Sequence, residues 1–257
     1  MTLDVVGASR SFGRTKPVHA LAGVDLRVES GEILGLVGRN GAGKSTLLLA
    51  LAGMLRLDAG AVRWNGRVVP IGGLPAIAYA PERPAGEPNA TVAESLLSLC
   101  VLRGIRRSEA KRAVAAALQA ASLADVAGRR VHSLSRGNIQ RLGFAQALLG
   151  DPALVLLDET LSGLDPIVHR QVCRIISTLP QRGTSVILSS HDFSAVEELA
   201  TRVAVMVNGS IAAVLEAGEL RRPGSLRDRF FDVVAPVEYD GVTALEAVGR
   251  SPSPGRC

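Results

Sequence analysis

Residues 38–45 read Gly38-Arg39-Asn40-Gly41-Ala42-Gly43-Lys44-Ser45 and match the pattern G-x-x-x-x-G-K-[ST]. The apolar run Ile33–Val37 before them is typical of a buried parallel strand, and the run from Ser45 to Gly53 predicts a helix that starts at Ser45. The glycines therefore lie at a helix N-terminus, where unpaired amides and the helix dipole attract anions. The stretch predicts a phosphate-binding loop between a strand and a helix.

Two side chains of this loop have their own chemistry. Lys44 is placed to reach the β- and γ-phosphates of a nucleotide, and the Ser45 hydroxyl is placed to ligate Mg²⁺. A glycine-rich turn that matches by chance is the alternative, and the flanking strand and helix argue against it. The residues expected to contact the phosphates are Gly38, Arg39, Asn40, Gly41, Ala42, Gly43, Lys44, Ser45 and Thr46.

The composition is that of a globular protein, with 47% hydrophobic and 21% charged residues in a chain of 257. The longest apolar stretches, residues 46–55 and 113–124, are shorter than the roughly 20 residues that a membrane span needs. Asp4 and Arg10 interrupt any signal-peptide pattern, so we expect a cytoplasmic protein. The cysteines are widely separated and form no C-x-x-C pair, which indicates neither a disulfide framework nor a zinc site. They are Cys100, Cys173 and Cys257.

The positive charge is concentrated in one region. Residues 101–145 hold nine basic and two acidic residues, a local charge of +7 in a chain whose net charge is +5. Such a region could face a nucleotide, an acidic partner or lipid headgroups, or it could be a solvated face. Nucleic acid is not expected as a partner, because aromatic residues make up only 3% of the chain.

The order of predicted elements is that of an α/β protein with an insertion. Residues 2–6 and 21–28 alternate like strands, and Asn65-Gly66 predicts a hairpin turn. Helical patterns follow at 92–103, 108–120, where Ser108 is a candidate N-cap, and 137–149. From residue 154 strands and helices alternate, which predicts a parallel sheet, and Asn208-Gly209 predicts a closing hairpin. We expect one domain over residues 1–235, with a core at 1–83 and 151–220, a helical lobe at 84–150, and a poorly ordered tail at 236–257.

A second group of polar residues follows the apolar run Leu154–Leu157. Asp158 is placed at the end of this predicted strand, where it could hold the same Mg²⁺ as Ser45. Glu159 could polarise the attacking water. Two adjacent acids could also be an ordinary loop start, so this pair alone does not decide the function.

The remaining motifs lie in a characteristic order. Leu134-Ser135-Arg136-Gly137-Asn138 precedes Asp158, Ser162-Gly163-Leu164-Asp165 follows Glu159, and His191 ends the next strand. With these motifs, residues 2–215 resemble the ATP-binding cassette (ABC) ATPases. The resemblance implies a P-loop NTPase with a RecA-like, mostly parallel sheet core, an N-terminal antiparallel β subdomain and an inserted helical lobe. It also implies ATP and Mg²⁺ as ligands.

Members of that family close as head-to-tail pairs, so each ATP lies between two cassettes. The resemblance implies that Ser135, Gly137 and Asn138 contact the γ-phosphate of the partner's ATP and that Asp165 couples the two sites. It also implies a γ-phosphate contact for His191. Two of these residues have a structural alternative as a helix cap, Ser135 for the helix after it and His191 for the helix near Phe193.

Phe12 occupies the place where the family stacks an aromatic ring on adenine, and a small core aromatic is its alternative. Glu82, in Tyr79-Ala80-Pro81-Glu82, stands where most members have Gln, and could meet Mg²⁺ or the water. Arg136 and Asn138 stand where Gly and Gln are commonest. These forms are similar to the subunits of drug, haem, sodium and polysaccharide exporters.

We therefore expect a peripheral ATPase that sits on the inner face of the membrane through a separate polytopic permease, as a homodimer or paired cassette. A nucleotide-dependent regulatory switch with little turnover is the alternative, suggested by Glu82, Arg136 and Asn138. A soluble family member acting on DNA or ribosomes is disfavoured, because the chain has no coiled-coil insertion, zinc cysteines or second cassette.

Overall fold

The computed structural model describes residues 2–84, 86–191, 193–216, 218–220 and 226–235. Strands and helices are numbered separately along the chain. The strands are β1 (Thr2–Phe12), β2 (Val18–Glu29), β3 (Ile33–Val37), β4 (Ala59–Trp64), β5 (Arg67–Val68), β6 (Ile77–Ala80), β7 (Leu154–Asp158), β8 (Ser185–Ser190), β9 (Arg202–Val207) and β10 (Ser210–Glu216). The helices are α1 (Lys44–Leu51), α2 (Val92–Leu102), α3 (Arg107–Ala120), α4 (Arg136–Leu148), α5 (Pro166–Thr178) and α6 (Phe193–Leu199). Residues 226–235 are also helical.

The main sheet has the strand order β10-β9-β3-β8-β7-β6. Neighbouring strands from β9 to β6 are parallel, and only the β9–β10 pair is antiparallel. This arrangement confirms the predicted mostly parallel core. Because parallel strands end at the same edge of a sheet, the loops after β3, β6, β7 and β8 meet at one edge.

The second sheet is antiparallel, in the order β2-β1-β4-β5. The hairpin turn at Asn65-Gly66 has positive φ at both residues, as a type I′ turn requires, and Asn208-Gly209 does the same between β9 and β10. β1 and β2 are longer than predicted. Register shifts between Val5 and Ala8 interrupt the alternation on which the prediction relied.

The main sheet is buried on both faces. Every residue of β3, β7 and β8 is buried, as expected for central parallel strands. On one face, Leu34 and Leu36 pack with α1 and the antiparallel sheet. On the other face, α5, α6 and the helical residues 226–235 form a separate core.

Helices α2, α3 and α4 have a hydrophobic cluster of their own, which includes Leu96, Leu118 and Leu142. The prediction that Ser108 caps the second of these helices is wrong. The N-cap position is Arg106, its side chain makes no capping bond, and Ser108 lies inside α3. The side chain of Arg106 instead forms an ion pair with Glu109 in the first turn.

The predicted tail, residues 236–257, lies outside the described residues. Within the part of the chain that the structure does describe, no helix is both long enough and apolar enough to span a bilayer.

Candidate functional site

The glycine-rich loop joins β3 to α1, as predicted. The helix begins at Lys44, one residue before the predicted start, and Gly43 is its N-cap with φ of 105°. A side chain at Gly43 would not fit, because a Cβ there would lie 2.3 Å from the Ala20 carbonyl oxygen and 2.8 Å from Met206 Cε. A Cβ on Gly41 would meet no atom within 4 Å. The loop is thus held tightly on its protein side and is open on the side of Gly41.

Lys44 is buried, and its ammonium group is held by the loop itself. Nζ donates to the Gly38 carbonyl at 2.7 Å and to the Arg39 carbonyl at 3.3 Å. It also lies 3.3 Å from Glu159 Oε1. A buried ammonium needs such partners, because removing a charge from water without compensation is costly. The side chain is fixed at the mouth of the loop and next to the predicted catalytic carboxylate.

Asp158 is the centre of a hydroxyl cluster at the end of β7. Its Oδ1 accepts hydrogen bonds from Ser45 Oγ at 3.0 Å and Ser189 Oγ at 2.7 Å, and its Oδ2 accepts one from Tyr79 Oη at 3.0 Å. Hydrogen bonds to a charged acceptor are stronger than those between neutral groups. The carboxylate is therefore fixed beside Ser45, and the metal site that the two residues would share stays a prediction.

Tyr79 and Ser189 were not among the predicted site residues. Each is the right distance along its strand to reach Asp158 from a neighbouring strand, since β6 and β8 flank β7 in the sheet. Burial raises the pKa of Tyr79 far above the usual 10.0, and the negative charge of Asp158 raises it further. The phenol therefore stays protonated and remains a donor to the carboxylate.

Glu159 directly follows β7 and has a left-handed backbone conformation, with φ of 50°. Its amide donates to the carbonyl oxygen of Ser189 at 3.2 Å and to Ser189 Oγ at 3.1 Å. Oε1 is buried and faces Lys44, and Oε2 faces His191. A non-glycine residue at positive φ is uncommon, and such backbone strain occurs at functional sites. The strained turn points the carboxylate across the sheet edge toward Lys44.

His191 follows β8 and lies close to Glu159. Its Nδ1 is 2.7 Å from Glu159 Oε2, and its backbone amide donates to the same oxygen at 3.3 Å. Because a carboxylate only accepts hydrogen bonds, the proton of this contact belongs to Nδ1 of the histidine. Nε2 then remains for a further contact on the exposed side of the ring.

The signature residues lie at the N-terminus of α4. Ser135 is its N-cap and accepts a hydrogen bond from the Asn138 amide at 3.3 Å, so the capping role is confirmed. Gly137 faces α5, where a Cβ would lie 3.1 Å from Val168 Cγ2. The described hydrogen bonds and ion pairs of Ser135 and Asn138 do not reach the phosphate loop. The structure therefore brings Lys44, Ser45, Asp158, Glu159 and His191 together, and among the described residues no hydrogen bond or ion pair joins Ser135 or Asn138 to them.

Arg136 and Asp165 lie beside this helix end. The Arg136 guanidinium covers Gly163, where a Cβ would lie 2.7 Å from its Nη2. Asp165 is the N-cap of α5, and its Oδ1 accepts from the amides of Ile167 and Val168. The Arg136 contact holds the loop that follows Glu159 against the start of α4. The Asp165 bonds hold the end of the same loop at the start of α5.

The two remaining predicted residues are on the surface. Phe12 is 42% exposed, so the alternative that it is a core aromatic is wrong. The Arg10 guanidinium lies 5.0 Å from the centre of its ring. Glu82 is exposed, and in the described part of the chain its carboxylate makes no hydrogen bond or ion pair, although its backbone carbonyl accepts one from Gln140.

The geometry fits a nucleotide phosphate chain with Mg²⁺. The open side of Gly41 leaves room for phosphate oxygens, and Lys44 supplies a fixed cation beside them. Ser45 Oγ and Asp158 Oδ1 are both hard oxygen donors, and they lie 3.0 Å apart, so one small ion could contact both. No cluster of three or more His, Cys, Asp or Glu suited to a metal occurs among the described residues.

The family model described as "ABC transporter" matches residues 21–162. The chain belongs to the ATP-binding cassette family of ABC transporters. It is an ATP-binding subunit of such a transporter, and its catalysed reaction is ATP hydrolysis coupled to transport.

Two curated relatives are similar to this cassette over most of its length. One is the uncharacterized ABC transporter ATP-binding protein YhaQ of Bacillus subtilis, 32% identical over 86% of this chain and 73% of that protein. Another is the methionine import ATP-binding protein MetN of Thermobifida fusca, 36% identical over 93% of this chain and 77% of that protein.

Solved cassettes have the same fold. The ATP-binding subunit of an ABC transporter superposes with a TM-score of 0.76 at 27% identity, covering 90% of this chain and 98% of that one. A dimeric post-hydrolysis state of the cassette MJ0796, bound to ADP and Pi, superposes with a TM-score of 0.77 at 20% identity, covering 84% and 98%. At 20% identity, the similarity to the MJ0796 cassette shows a shared fold and nothing further.

Proposed function

We propose that two cassettes close on ATP, each nucleotide lying between the phosphate loop of one copy and the signature of the other, and that hydrolysis reopens the pair. One observation carries this proposal. Lys44, Ser45, Asp158 and Glu159 form a cluster joined by hydrogen bonds and an ion pair, whereas among the described residues no hydrogen bond joins Ser135 to that cluster. A second copy would supply the missing side of the site.

Within one copy, the contacts support the following roles. The loop amides and Lys44 hold the phosphates, and the Phe12 ring offers a face to the adenine. Glu159 orients and polarises the attacking water, while the His191 Nδ1 proton holds Oε2 of Glu159 in place. Nε2 of His191 is available for the γ-phosphate or the water.

Ser45 and Asp158 are the residues that would hold Mg²⁺, with Glu82 as a further candidate after β6. Mg²⁺ bound there supplies positive charge against the phosphate oxygens. Tyr79 and Ser189 keep the Asp158 carboxylate oriented for this purpose.

On the partner's side, Ser135, Gly137 and Asn138 offer a hydroxyl and helix N-terminal amides to a γ-phosphate. We assign to Asp165, the N-cap of α5, the coupling of the two sites. Arg136 adds a positive charge next to Ser135 and Gly137. In the described part of the chain, its guanidinium makes no hydrogen bond or ion pair.

The test of this proposal uses Glu159→Gln, which removes the base and keeps the shape of the side chain. We expect this variant to form a dimer with MgATP on size-exclusion chromatography and to hydrolyse ATP at least about 100-fold more slowly than the wild type. Lys44→Ala should bind no nucleotide and stay monomeric. A Glu159→Gln protein that binds ATP but remains monomeric would contradict the dimer. Tight ATP binding by a wild type that releases no phosphate would favour the regulatory alternative.

We also propose that the cassette drives a separate polytopic permease, and therefore sits at the inner face of the membrane. A groove of about 760 Å³ lies between the main sheet and the helical lobe and is lined by Met54, Leu99 and Leu102, among others. Leu102 is 83% exposed and Met54 63% exposed. Exposed apolar side chains around a groove are typical of a protein contact site. Replacing Leu102 with Asp should abolish co-purification with the permease and leave the ATPase activity of the isolated cassette unchanged.

Export is the direction that we propose, supported by the resemblance of Tyr79-Ala80-Pro81-Glu82 and of the signature to exporter subunits. The similarity to the methionine import protein MetN favours import as the second candidate. Reconstitution of the cassette with its permease in vesicles decides between them: ATP added on the cassette side should move substrate to the opposite side. Accumulation on the cassette side would establish import.

A further inference from the structure

Gln140 is a buried amide on α4 that no motif assigned to the site. It is 7% exposed, and its Nε2 donates to the Glu82 carbonyl at 3.1 Å and to the Thr160 carbonyl at 3.3 Å. The orientation of the amide follows from these partners, since a flipped amide would place its oxygen against two carbonyl oxygens. One side chain of the helical lobe thus bridges the loops after β6 and β7.

These contacts belong to one face of α4. Arg136, Gln140 and Gly143 are spaced by four and three residues, so they lie along the same side of the helix. Arg136 covers Gly163, and a Cβ on Gly143 would lie 2.4 Å from Pro84 Cγ, so Pro84 packs directly on the helix backbone. The whole face rests on the two loops that carry Glu82 and Glu159, and Gln140 supplies its buried hydrogen bonds.

The polar atoms around Gln140 are incompletely paired. Gln140 Oε1 and Thr160 Oγ1 are both buried and, among the described residues, neither has a hydrogen-bond partner. An unpaired buried polar atom is costly, so each such atom calls for an explanation.

We propose that Gln140 is a positioning residue for ATP hydrolysis. Its amide ties the loop after Glu159 to the helix whose N-terminus carries the signature, so that the position of the helical lobe sets the position of Glu159. This inference rests on the proposed function, because it concerns the geometry of the same hydrolytic site. It assigns to Gln140 no contact with the nucleotide.

The test is Gln140→Met, which keeps a similar volume and removes both hydrogen bonds. We expect kcat for ATP hydrolysis to fall about 10- to 100-fold, because small displacements of catalytic groups have effects of this size. KM should change less than about threefold, since the groups that bind ATP are untouched. Gln140→Met combined with Glu159→Gln should form the ATP dimer at the same nucleotide concentration as Glu159→Gln alone.

Gln140→Asn is the second variant, and it tests the proposal if the Met variant does not fold. Its shorter amide loses at least one hydrogen bond, so kcat should fall about 3- to 10-fold.

Leu142→Val is the matched control, since Leu142 lies on the same helix and faces the core of the lobe. It should lower the melting temperature without lowering kcat. The proposal is overturned if kcat of the Gln140 variants stays within twofold of the wild type. It is also overturned if Leu142→Val loses as much kcat for the same shift in melting temperature. A wild type without Lys44-dependent hydrolysis, or a Glu159→Gln protein that does not dimerise, would instead refute the proposed function.

Discussion

Ser189 offers a sharp test of how the Asp158 carboxylate is held. Its hydroxyl donates to Asp158 Oδ1 at 2.7 Å and accepts from the Glu159 amide at 3.1 Å, and the residue is fully buried. Ser189→Ala removes both bonds. The bond to a charged acceptor contributes about 1.5–3 kcal/mol to stability, and the Glu159 amide keeps its second bond to the Ser189 carbonyl. We therefore expect the free energy of unfolding in urea to fall by about 2 kcal/mol.

The same change should affect the use of Mg²⁺. A carboxylate that loses one of its orienting donors binds a metal less well, typically by about 10- to 100-fold. The midpoint of a Mg²⁺ titration of ATPase activity should rise by about this factor, while ATP binding without Mg²⁺ stays the same. The same shift should appear when MgADP binding is measured directly by calorimetry, which does not depend on turnover.

Ser185→Ala is the control for this experiment. Ser185 lies on the same strand and is equally buried, and its hydroxyl bonds to the Glu29 carbonyl and the Gly31 amide at the opposite end of β8. It should lose a similar amount of stability and leave the Mg²⁺ midpoint unchanged. If Ser189→Ala shifts the Mg²⁺ midpoint less than twofold, or no more than Ser185→Ala does, then the hydroxyl does not orient the carboxylate and the reasoning fails.

Three further predictions concern other residues of the site. Because the pKa of Tyr79 is raised in the folded protein, the unfolded chain loses this proton first, and the free energy of unfolding should fall as the pH rises above 10, by up to about 1.4 kcal/mol per pH unit. Tyr79→Phe should make this fall smaller in urea melts at pH 9 and 11, and the Cys100 thiol, whose pKa burial also raises, should account for part of what remains. Gly43→Ala should destabilise the protein by about 2 kcal/mol or more, because the new Cβ meets the Ala20 carbonyl, and a melt that matches the wild type would refute this. Phe12→Ala should weaken binding of a fluorescent ATP analogue by about tenfold while its binding of inorganic triphosphate is unchanged, since a base stack is worth about 1–3 kcal/mol.

The sequence was sufficient wherever one local pattern decides the structure. The buried strands β3, β7 and β8 and the two Asn-Gly hairpins were predicted correctly, because a short apolar run or a two-residue turn fixes each of them. The prediction that Ser108 caps a helix was wrong, because one local residue type does not fix where a helix begins. A serine near a helix start is only a candidate cap, and the helix here begins earlier, at Arg107, with Arg106 at the N-cap position. The domain boundaries and the site roles predicted from the sequence stay predictions.

The missing parts of the site come from strand order rather than from motifs. Tyr79 and Ser189 reach Asp158 only because β6 and β8 are its neighbours in the sheet, and this pairing joins residues far apart in the chain. Gln140 was missed because its partners are backbone carbonyls, which leave no trace in the sequence. Lys44 was predicted as a phosphate ligand, but its distance of 3.3 Å to Glu159 depends on the turn after β7.

The left-handed backbone at Glu159 has a consequence for protein engineering. This conformation costs an ordinary residue about 1–2 kcal/mol, and glycine adopts it freely. A library selected only for heat resistance would therefore be drawn toward glycine at the position where turnover needs a carboxylate. Position 159 would have to be selected for ATP hydrolysis directly, because the residue that raises thermostability at this position is not the one that catalysis needs.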